Sequence, residues 1–375
     1  MFKKKSLTIS IIATIFSTAA LADAQLDDLQ QQIKTLQSQL EQTSTSVDSL
    51  MRNGSNQSNT SIGGYGEMHY NNLDSGSEID FHRFVLFFNH EFTDRLRFFS
   101  ELELEHSISG EGQVGEVELE QAAIQFDINN NLALTGGLFL MPVGIINETH
   151  EPTTFYGVER NPVEKNIIPT TWWEGGAMIS GKPAPAWSYD VAVTSGLSVP
   201  TSGSNAYKIR NGRQKVAEAP AEDLAITGRL QWQAAAGTQL GITLQSQNDV
   251  TQGTAQKASA TLLETHAAIQ QGPFGLRALY AAWDINSTAA EAVGRNKQTG
   301  WYVEPSYKLS SQWGLFARYN NWDNEAGNSS DSTQKQTNIG ANYWPHPSVV
   351  VKADFQNQSG SINDDGFNLG LGYQF

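Results

Sequence analysis

Apolar and polar residues alternate in short segments from Ile62 to the end of the chain, and clusters of Gly, Asn, Asp, Ser and Pro separate these segments. A period of two is typical of β-strands whose two faces meet different surroundings. The pattern predicts sixteen strands, near residues 62–71, 79–92, 95–106, 116–127, 132–140, 174–181, 187–195, 223–232, 237–247, 258–270, 274–284, 299–309, 312–322, 335–344, 348–357 and 366–375.

Tight and long connections alternate along this pattern, beginning with the tight link at Thr93-Asp94 between the second and third strands. Transmembrane β-barrels have short turns at one rim and longer loops at the other. The even strand number and this alternation predict an antiparallel transmembrane β-barrel over residues 62–375, with both termini periplasmic. The apolar parity switches between Glu120 and Ala122, which predicts a β-bulge in the fourth strand.

The last strand has the clearest alternation, and it ends the chain on an aromatic residue. Its apolar face carries Phe367, Leu369, Leu371, Tyr373 and Phe375. A soluble edge strand seldom ends at an exposed aromatic terminus. This ending resembles the assembly signal of bacterial outer-membrane proteins, which implies outer-membrane lipid and the barrel-assembly machinery as partners.

The start of the chain has the order of a secretory signal peptide. Lys3–Lys5 precede an apolar run from Leu7 to Ala20, and small residues precede Asp23. The apolar run is shorter than the roughly 20 residues that a membrane-spanning helix needs, which argues against an uncleaved anchor. We predict a signal peptide over residues 1–22.

A heptad pattern follows the predicted cleavage site. Its first seam positions are Leu26, Leu29, Ile33, Leu36 and Leu40. This seam predicts a short N-terminal α-helical coiled coil over residues 23–52, and the polar residues 53–61 read as a flexible linker. A lone amphipathic helix docked on another surface is the alternative.

Composition excludes several classes of function. The chain has no cysteine and a formal net charge of −15, so disulfides, thiol chemistry and nucleic-acid binding are not expected. Its mean hydropathy of −0.38 is compatible with a membrane barrel, because every second residue of a strand faces water. No residue spacing indicates a metal site or a cofactor. The acidic excess favours a weakly cation-preferring pore.

The third long connection, at about residues 141–173, has no strand character. A loop of this length is usually functional or disordered, and its proline and aromatic content is not typical of disorder. We predict that it folds into the barrel as a constriction loop; a solvated surface loop is the alternative. Its charged residues are Glu148, Glu151, Glu159, Arg160, Glu164 and Lys165, which predicts a mainly acidic face.

Charged residues on the strands are expected to face the lumen, because a charge facing lipid at mid-depth costs about 2 to 4 kcal/mol. The predicted pore wall comprises Arg83, Arg97, Glu101, Glu103, Arg229, Arg277, Arg318 and Lys352. An acidic loop opposite a basic wall would create a transverse field that favours polar solutes. The residues from Lys208 to Lys215 form a basic run. We predict that this run is a solvated surface rather than a site that gathers anions.

Three segments resemble the phosphate-selective porin O and P family. They are FHRF at residues 81–84, GLFLMPVGIINE at 137–148 and IPTTWWEGG at 168–176. The resemblance implies a sixteen-stranded, trimeric outer-membrane porin with a constricting third loop. It does not extend to the arginine ladder and lysine cluster of phosphate-selective members, because this chain has few basic residues.

The sequence therefore predicts a passive diffusion channel for small hydrophilic solutes and ions in the Gram-negative outer membrane. An anion- or phosphate-selective porin is the first alternative, and a structural or adhesive anchor is the second. An enzyme is not expected, because no nucleophile motif accompanies the scattered histidines.

Overall fold

The computed structural model describes residues 59–107, 112, 114–253 and 256–375. In this part of the chain sixteen antiparallel strands form one closed barrel, in which β16 pairs with β1, so the predicted barrel is confirmed. The first eight strands are β1 (Thr60–Leu73), β2 (Gly76–Thr93), β3 (Leu96–Glu105), β4 (Val117–Asn129), β5 (Leu132–Leu140), β6 (Trp173–Ala184), β7 (Trp187–Thr194) and β8 (Ala225–Ala235). The others are β9 (Thr238–Gln247), β10 (Ser259–Gln271), β11 (Phe274–Asn286), β12 (Lys297–Lys308), β13 (Trp313–Asp323), β14 (Gln334–His346), β15 (Val349–Ser359) and β16 (Gly366–Gln374).

Helical structure in the described residues is confined to short segments between strands. These are α1 (Pro162–Asn166), a 3₁₀ helix at Ile209–Gly212 and α2 (Thr288–Ala292). None of the helices in the described ranges has the length and apolar character needed to cross a membrane. The predicted signal peptide, the coiled-coil seam and all but the last residues of the predicted linker lie outside the described residues.

The strands have an inverted distribution of polar and apolar side chains. On β9, Ile242 and Leu244 face outward and are 41% and 55% exposed, whereas Thr243 and Gln245 between and beside them face inward and are buried. Exposed apolar residues suit a surrounding hydrocarbon layer, and inward polar residues suit an aqueous or polar interior. The barrel therefore has the surface of a membrane protein.

The two rims differ as the sequence predicts. Seven tight turns lie at one rim, the turn end, together with both ends of the barrel chain. The opposite rim, the loop end, carries L1 (74–75), L2 (106–116), L3 (141–172), L4 (195–224), L5 (248–258), L6 (287–296), L7 (324–333) and L8 (360–365). The first loop differs from its predicted length, because β1 and β2 continue their pairing to Leu73 and Gly76 and leave only two residues between them.

A β-bulge in β4 is confirmed at the position where the apolar parity switches. Glu101 of β3 pairs with Gln121, whereas the next residue, Leu102, pairs with Leu119, so Glu120 is the extra residue. Barrel closure involves the last residue of the chain. The amide of Phe375 donates to the carbonyl of Gly64, and the Gly64 amide donates back, each at 2.9 Å.

Candidate functional site

L3 crosses the lumen and packs against inward faces of strands on opposite sides of the barrel. Several of these contacts fall on glycines. A Cβ atom on Gly372 of β16 would lie 2.4 Å from Pro152, and one on Gly314 of β13 would lie 2.4 Å from the Tyr156 hydroxyl. Glycine inside a strand commonly marks the close approach of another segment. The inward glycines therefore make the space that L3 occupies.

Guanidinium groups of the wall donate hydrogen bonds to backbone carbonyls of L3. The pairs are Arg83 with His150, Arg277 with Thr154, and Arg318 with both Tyr156 and Glu159, at nitrogen–oxygen distances between 2.7 and 3.3 Å. Hydrogen bonds from charged donors contribute more than neutral ones, roughly 1.5 to 3 kcal/mol each. Wall arginines thus fix the path of the loop through its main chain.

The same arginines are also paired with carboxylates of the wall. Arg83 lies 2.5 Å from Glu67, and Arg318 lies 3.3 Å from Glu304, whose other oxygen is 3.9 Å from Arg277. Arg83, Arg318, Glu67 and Glu304 are all buried. Buried charges of this kind persist only when they are paired and hydrogen-bonded. These guanidiniums are consequently shared between L3 and wall carboxylates.

Arg229 of β8 joins the wall to an L3 carboxylate. Its guanidinium contacts Glu148 of L3 through two nitrogens, and it lies 2.7 Å from Asp190 of β7. Glu148 remains exposed on the lumen side. This acidic residue of the loop therefore faces the lumen, and Arg229 balances its charge locally.

Glu164 of L3 is buried and turned away from the lumen. Its carboxylate accepts hydrogen bonds from the backbone amides of Ile145 and Ile146, from the Tyr302 hydroxyl and from the Asn161 side chain, at 2.7 to 3.1 Å. Burial raises the pKa of Glu164, and these hydrogen bonds only partly oppose that shift. Glu164 holds two parts of L3 together and anchors them to β12.

Glu159 of L3 contacts the wall at β1. One of its oxygens lies 2.9 Å from His69 Nδ1 and accepts a hydrogen bond of 3.1 Å from Asn71. Burial raises the pKa of the Glu159 carboxyl, but the charges and hydrogen bond of the neighbouring histidines outweigh burial and hold this pKa well below its usual range. The carboxylate is therefore charged and has a local counterion.

The other charged residues of L3 are placed differently from one another. Arg160 donates to the Thr171 hydroxyl at 2.6 Å within the loop, Lys165 is exposed at the loop end, and Glu151 is half-buried. L3 as a whole therefore does not present the mainly acidic face expected from its sequence. The reason is that Glu164 points into the loop and Glu148 and Glu159 are paired.

A cluster of carboxylates lies on the inward side of β3 and β4. It comprises Glu101, Glu103, Glu118 and Glu120, all buried. His150 of L3 places Nε2 at 3.3 Å from both Glu101 and Glu120. The bulge at Glu120 turns this side chain into the cluster, and for this reason the sequence predicted only the β3 members, Glu101 and Glu103, as inward-facing.

Two of the predicted wall residues behave differently from the arginines above. Lys352 is buried, and its Nζ lies 3.6 Å from the ring centroid of Phe155 in L3, which is a cation–π contact. Arg97 lies near the turn end and donates to Gln125 and Asp127 at 2.7 and 2.8 Å. Arg97 therefore belongs to the wall below L3, whereas Lys352 helps to hold the loop.

The basic run of L4 packs on L3 rather than forming a solvated surface. Arg210 donates to the carbonyls of Lys165 and Thr170, and Arg213 donates to the carbonyl of Thr171. Burial, with the neighbouring Arg213 charge, lowers the pKa of Arg210 to about 10. The prediction of a solvated run is therefore wrong for these two arginines, because they satisfy carbonyls where L3 returns to β6.

A cavity of about 700 Å³ opens above L3 at the loop end, and we call it the loop-end vestibule. Its lining includes Glu159 and Lys165 of L3 together with residues from β1, β2, L2, L4, L7 and L8. Sequence reasoning missed the group Asp80, His82 and His106 on its wall. Their only sequence signal is the Asp-x-His spacing on β2, which places both side chains on one strand face, but strict alternation from the inward Arg83 would turn that face outward.

Comparison with known proteins agrees with the barrel fold. Residues 36–363 match the family model described as phosphate-selective porin O and P. An uncharacterised protein of Aquifex aeolicus (strain VF5) is 31% identical over 335 residues, covering 79% of this chain and 74% of the relative.

Solved structures of outer-membrane channels share the barrel. The anion-selective porin from Comamonas acidovorans superimposes with a TM-score of 0.61 at 11% identity, covering 85% of this chain and 100% of that one. The outer membrane channel DcaP of Acinetobacter baumannii gives a TM-score of 0.57 at 14% identity, covering 84% and 97%. At these identities the likeness concerns the fold, whereas the family match spans most of the chain. The chain therefore belongs to the phosphate-selective porin O and P family of the Gram-negative outer membrane.

Proposed function

We propose that this protein is a passive diffusion channel for small hydrophilic solutes and ions, in which L3 forms the constriction. The observation that carries this proposal is the set of hydrogen bonds from Arg83, Arg277 and Arg318 to L3 carbonyls, which hold the loop within a barrel of polar interior. A narrow passage lined by polar and charged groups admits solutes that can exchange water for those groups, and it disfavours apolar ones.

The channel is weakly cation-preferring in this proposal. The chain carries a formal net charge of −15, and Glu148 of L3 is an exposed carboxylate on the lumen side. The wall arginines, in contrast, are each matched by a carboxylate or by L3 carbonyls. An excess of fixed negative charge along walls of low dielectric raises the local concentration of cations.

Planar-bilayer recording of the purified full-length protein tests both statements. We expect stepwise channel insertion, conductance that rises with salt, and a reversal potential in a KCl gradient that indicates a small preference for K⁺. Absence of ion conductance from correctly folded protein would contradict the channel and favour the structural or adhesive anchor.

An anion- or phosphate-selective porin is the second candidate, and the description of the matched family favours it. Phosphate recognition needs guanidinium or ammonium donors that are free to contact the anion. Arg83, Arg277 and Arg318 would have to exchange their L3 carbonyls for phosphate oxygens. A reversal potential of the opposite sign, with saturable block by phosphate, would establish this alternative in place of cation preference.

Membrane placement follows from the same proposal. The loop end faces the outside and the turn end faces the periplasm, so both termini are periplasmic. The exposed apolar band contacts outer-membrane lipid, and the barrel-assembly machinery inserts the chain after cleavage of residues 1–22. Three copies associate, and in this proposal the segment 23–52 forms a coiled coil that contributes to the trimer.

A further inference from the structure

Asp80, His82 and His106 come together on the wall of the loop-end vestibule. Asp80 Oδ2 lies 2.8 Å from His106 Nδ1 and 3.1 Å from His82 Nδ1. One donor atom from each of the three residues falls within 4.8 Å of the other two. A carboxylate oxygen and two imidazole nitrogens therefore converge on one point.

A β-bulge in β2 makes this convergence possible. Glu67 of β1 pairs with Arg83, but His69, two residues further along β1, pairs with Asp80, three residues back along β2. The extra residue breaks the alternation, so Asp80, His82 and Arg83 all turn inward. Bulges often re-aim side chains beside functional sites.

His106 reaches the same point from the end of β3. Its backbone amide donates to the His82 carbonyl at 3.0 Å, and its φ is +53°. A left-handed backbone conformation costs free energy in a residue with a side chain, and such residues concentrate at functional sites. This conformation brings the ring back over Asp80, and it is the second local irregularity that serves the cluster.

His69 supports the cluster from β1. Its ring stacks on His82 with a centroid distance of 4.8 Å and an interplanar angle of 17°. The His69 nitrogens are held by Glu67 and Glu159, at 3.2 and 2.9 Å. His69 therefore provides a held surface against which the His82 imidazole stacks.

The donor set suits a particular class of ligand. We propose that Asp80, His82 and His106 bind one divalent transition-metal ion of the Zn²⁺ or Ni²⁺ class in the loop-end vestibule. Zn²⁺ takes His nitrogens and carboxylate oxygens at about 2.0 to 2.2 Å in tetrahedral sites, which sets donor atoms roughly 3.3 Å apart. The two Asp80–imidazole separations need only a slight opening to reach that spacing, and one nitrogen of each imidazole lies within 4.8 Å of the other.

The site would be open to exchange. Three protein ligands leave the fourth tetrahedral position for water, as in zinc sites that act on a bound molecule. The side chains of Asp80, His82 and His106 are 22%, 30% and 34% exposed, so an ion reaches them from the vestibule. Imidazole ligands favour Zn²⁺, Ni²⁺ or Cu²⁺ over Ca²⁺ and Mg²⁺, which prefer oxygen.

Two other groups of possible metal ligands occur in the described residues, but their burial or their donor types differ. Glu101, Glu120 and His150 converge as well, but all three are buried where L3 meets the wall. Glu103, Glu105 and Glu118 offer carboxylates alone, and Lys215 contacts Glu118. The vestibule cluster is the one that combines imidazole donors, partial exposure and a supporting ring.

The test is Zn²⁺ binding to the full-length protein in detergent at pH 7.5, measured by calorimetry on protein without a polyhistidine tag. We expect one saturable Zn²⁺ per chain, unaffected by a large excess of Ca²⁺, and visible absorption bands of tetrahedral Co²⁺ when cobalt replaces zinc. His106→Ala should weaken binding by more than the roughly 10- to 100-fold typical of losing an outer partner of a metal ligand.

Control variants locate the ion. His90→Ala removes another imidazole of β2, one that contacts Thr60 at the turn end, and it should leave the affinity unchanged. Asp80→Asn provides a ligand variant with little change in volume. Heat-modifiable electrophoretic mobility confirms that each barrel is folded. The proposal is overturned if wild-type protein shows no saturable Zn²⁺ binding, if Asp80→Asn and His106→Ala bind like wild type, or if His150→Ala alone abolishes binding.

Discussion

The inward-facing arginines of the barrel wall bind backbone carbonyls of L3. Arg318 is 2% exposed and donates to two carbonyls of L3 while it pairs with Glu304. A buried guanidinium has five donors in a fixed plane, and a main-chain loop supplies carbonyl acceptors wherever it passes. Arginine can therefore fix a loop of any sequence, provided that a wall carboxylate balances the charge.

Arg318→Gln should loosen L3. Loss of the guanidinium removes two hydrogen bonds to the loop and leaves Glu304 with only the longer contact to Arg277. Truncating one partner of a buried charged pair commonly costs about 3 to 5 kcal/mol, so we expect larger current fluctuations and a higher mean conductance. Arg97→Gln is the matched control, because Arg97 contacts Gln125 and Asp127 rather than L3. Identical recordings from both variants would refute the pinning role of Arg318.

Among the strands, β12, β13 and β16 make room for L3 because they carry glycines, which have no side chain, where the loop packs. Gly300, Gly314, Gly370 and Gly372 all face L3, and a Cβ atom on any of them would come within 3.1 Å of a loop side chain. Glycine weakens a strand because it has no side chain to pack and greater entropy to lose. Its use on β12, β13 and β16 is therefore understandable as a recess for L3.

Gly372→Val should displace the central part of L3 without breaking the barrel. The added side chain would overlap Pro152, whose ring cannot rotate away, and overpacking of this kind typically costs about 1 to 3 kcal/mol. Gly228→Val is the control, because no other residue approaches the Cβ position of Gly228 within 4 Å. We expect altered conductance and faster proteolysis of L3 for Gly372→Val alone. Equal protease resistance in the two variants would count against the recess.

β16 also supplies the closing seam of the barrel. Because an unpaired strand edge cannot be tolerated in lipid, the exchange of hydrogen bonds between Phe375 and Gly64 completes the ladder. Removal of Phe375 should slow assembly and lower the amount of protein in the outer membrane. Phe274→Ala tests surface hydrophobicity alone, since Phe274 is also an aromatic residue with 63% exposure. Similar membrane levels for the two variants would exclude a special role of the terminal residue.

Strand positions were predictable from sequence, but the contacts of L3 were not. A period of two identifies a strand whatever it packs against, and even the β4 bulge has a parity signal at Glu120. L3 is held mainly through its backbone carbonyls, which carry no side-chain signature. Glu164 illustrates the difference, because its buried partners Ile146 and Tyr302 are known only once the loop is folded.

For the protein as a whole, the barrel closes within residues 60–375 and does not use the predicted coiled-coil segment. The strand pattern begins at Thr60, and the barrel ladder is closed without any earlier residue. Deletion of residues 23–52 should therefore weaken the proposed trimer without preventing barrel insertion. Native electrophoresis and cross-linking would measure the oligomer, and heat-modifiable mobility would report the folded barrel. A truncated chain that fails to insert would show that the two parts depend on each other.

The ion preference also belongs to the whole barrel, since every fixed charge contributes to the potential in the lumen according to its position. A comparison of Glu148 with Glu164 tests the effect of position, because both are carboxylates of L3 but of the two only Glu148 faces the lumen. Glu148→Gln should move the reversal potential toward anions, because it removes a lumen charge and leaves Arg229 with Asp190 alone. Glu164→Gln should produce a much smaller shift, because its carboxylate is enclosed by the loop and burial raises its pKa.

Salt concentration sharpens the comparison of these two variants. The Debye length is about 10 Å at 0.1 M salt and about 3 Å at 1 M, so the Glu148→Gln shift should be large at low salt and small at high salt. Reversal potentials in KCl gradients at both concentrations measure it. Equal shifts for the two variants would mean that the position of the carboxylate does not matter. If the wild-type protein already prefers anions, Arg83, Arg277 and Arg318 become the candidate anion-binding residues. Their donors would then have to be free for the solute.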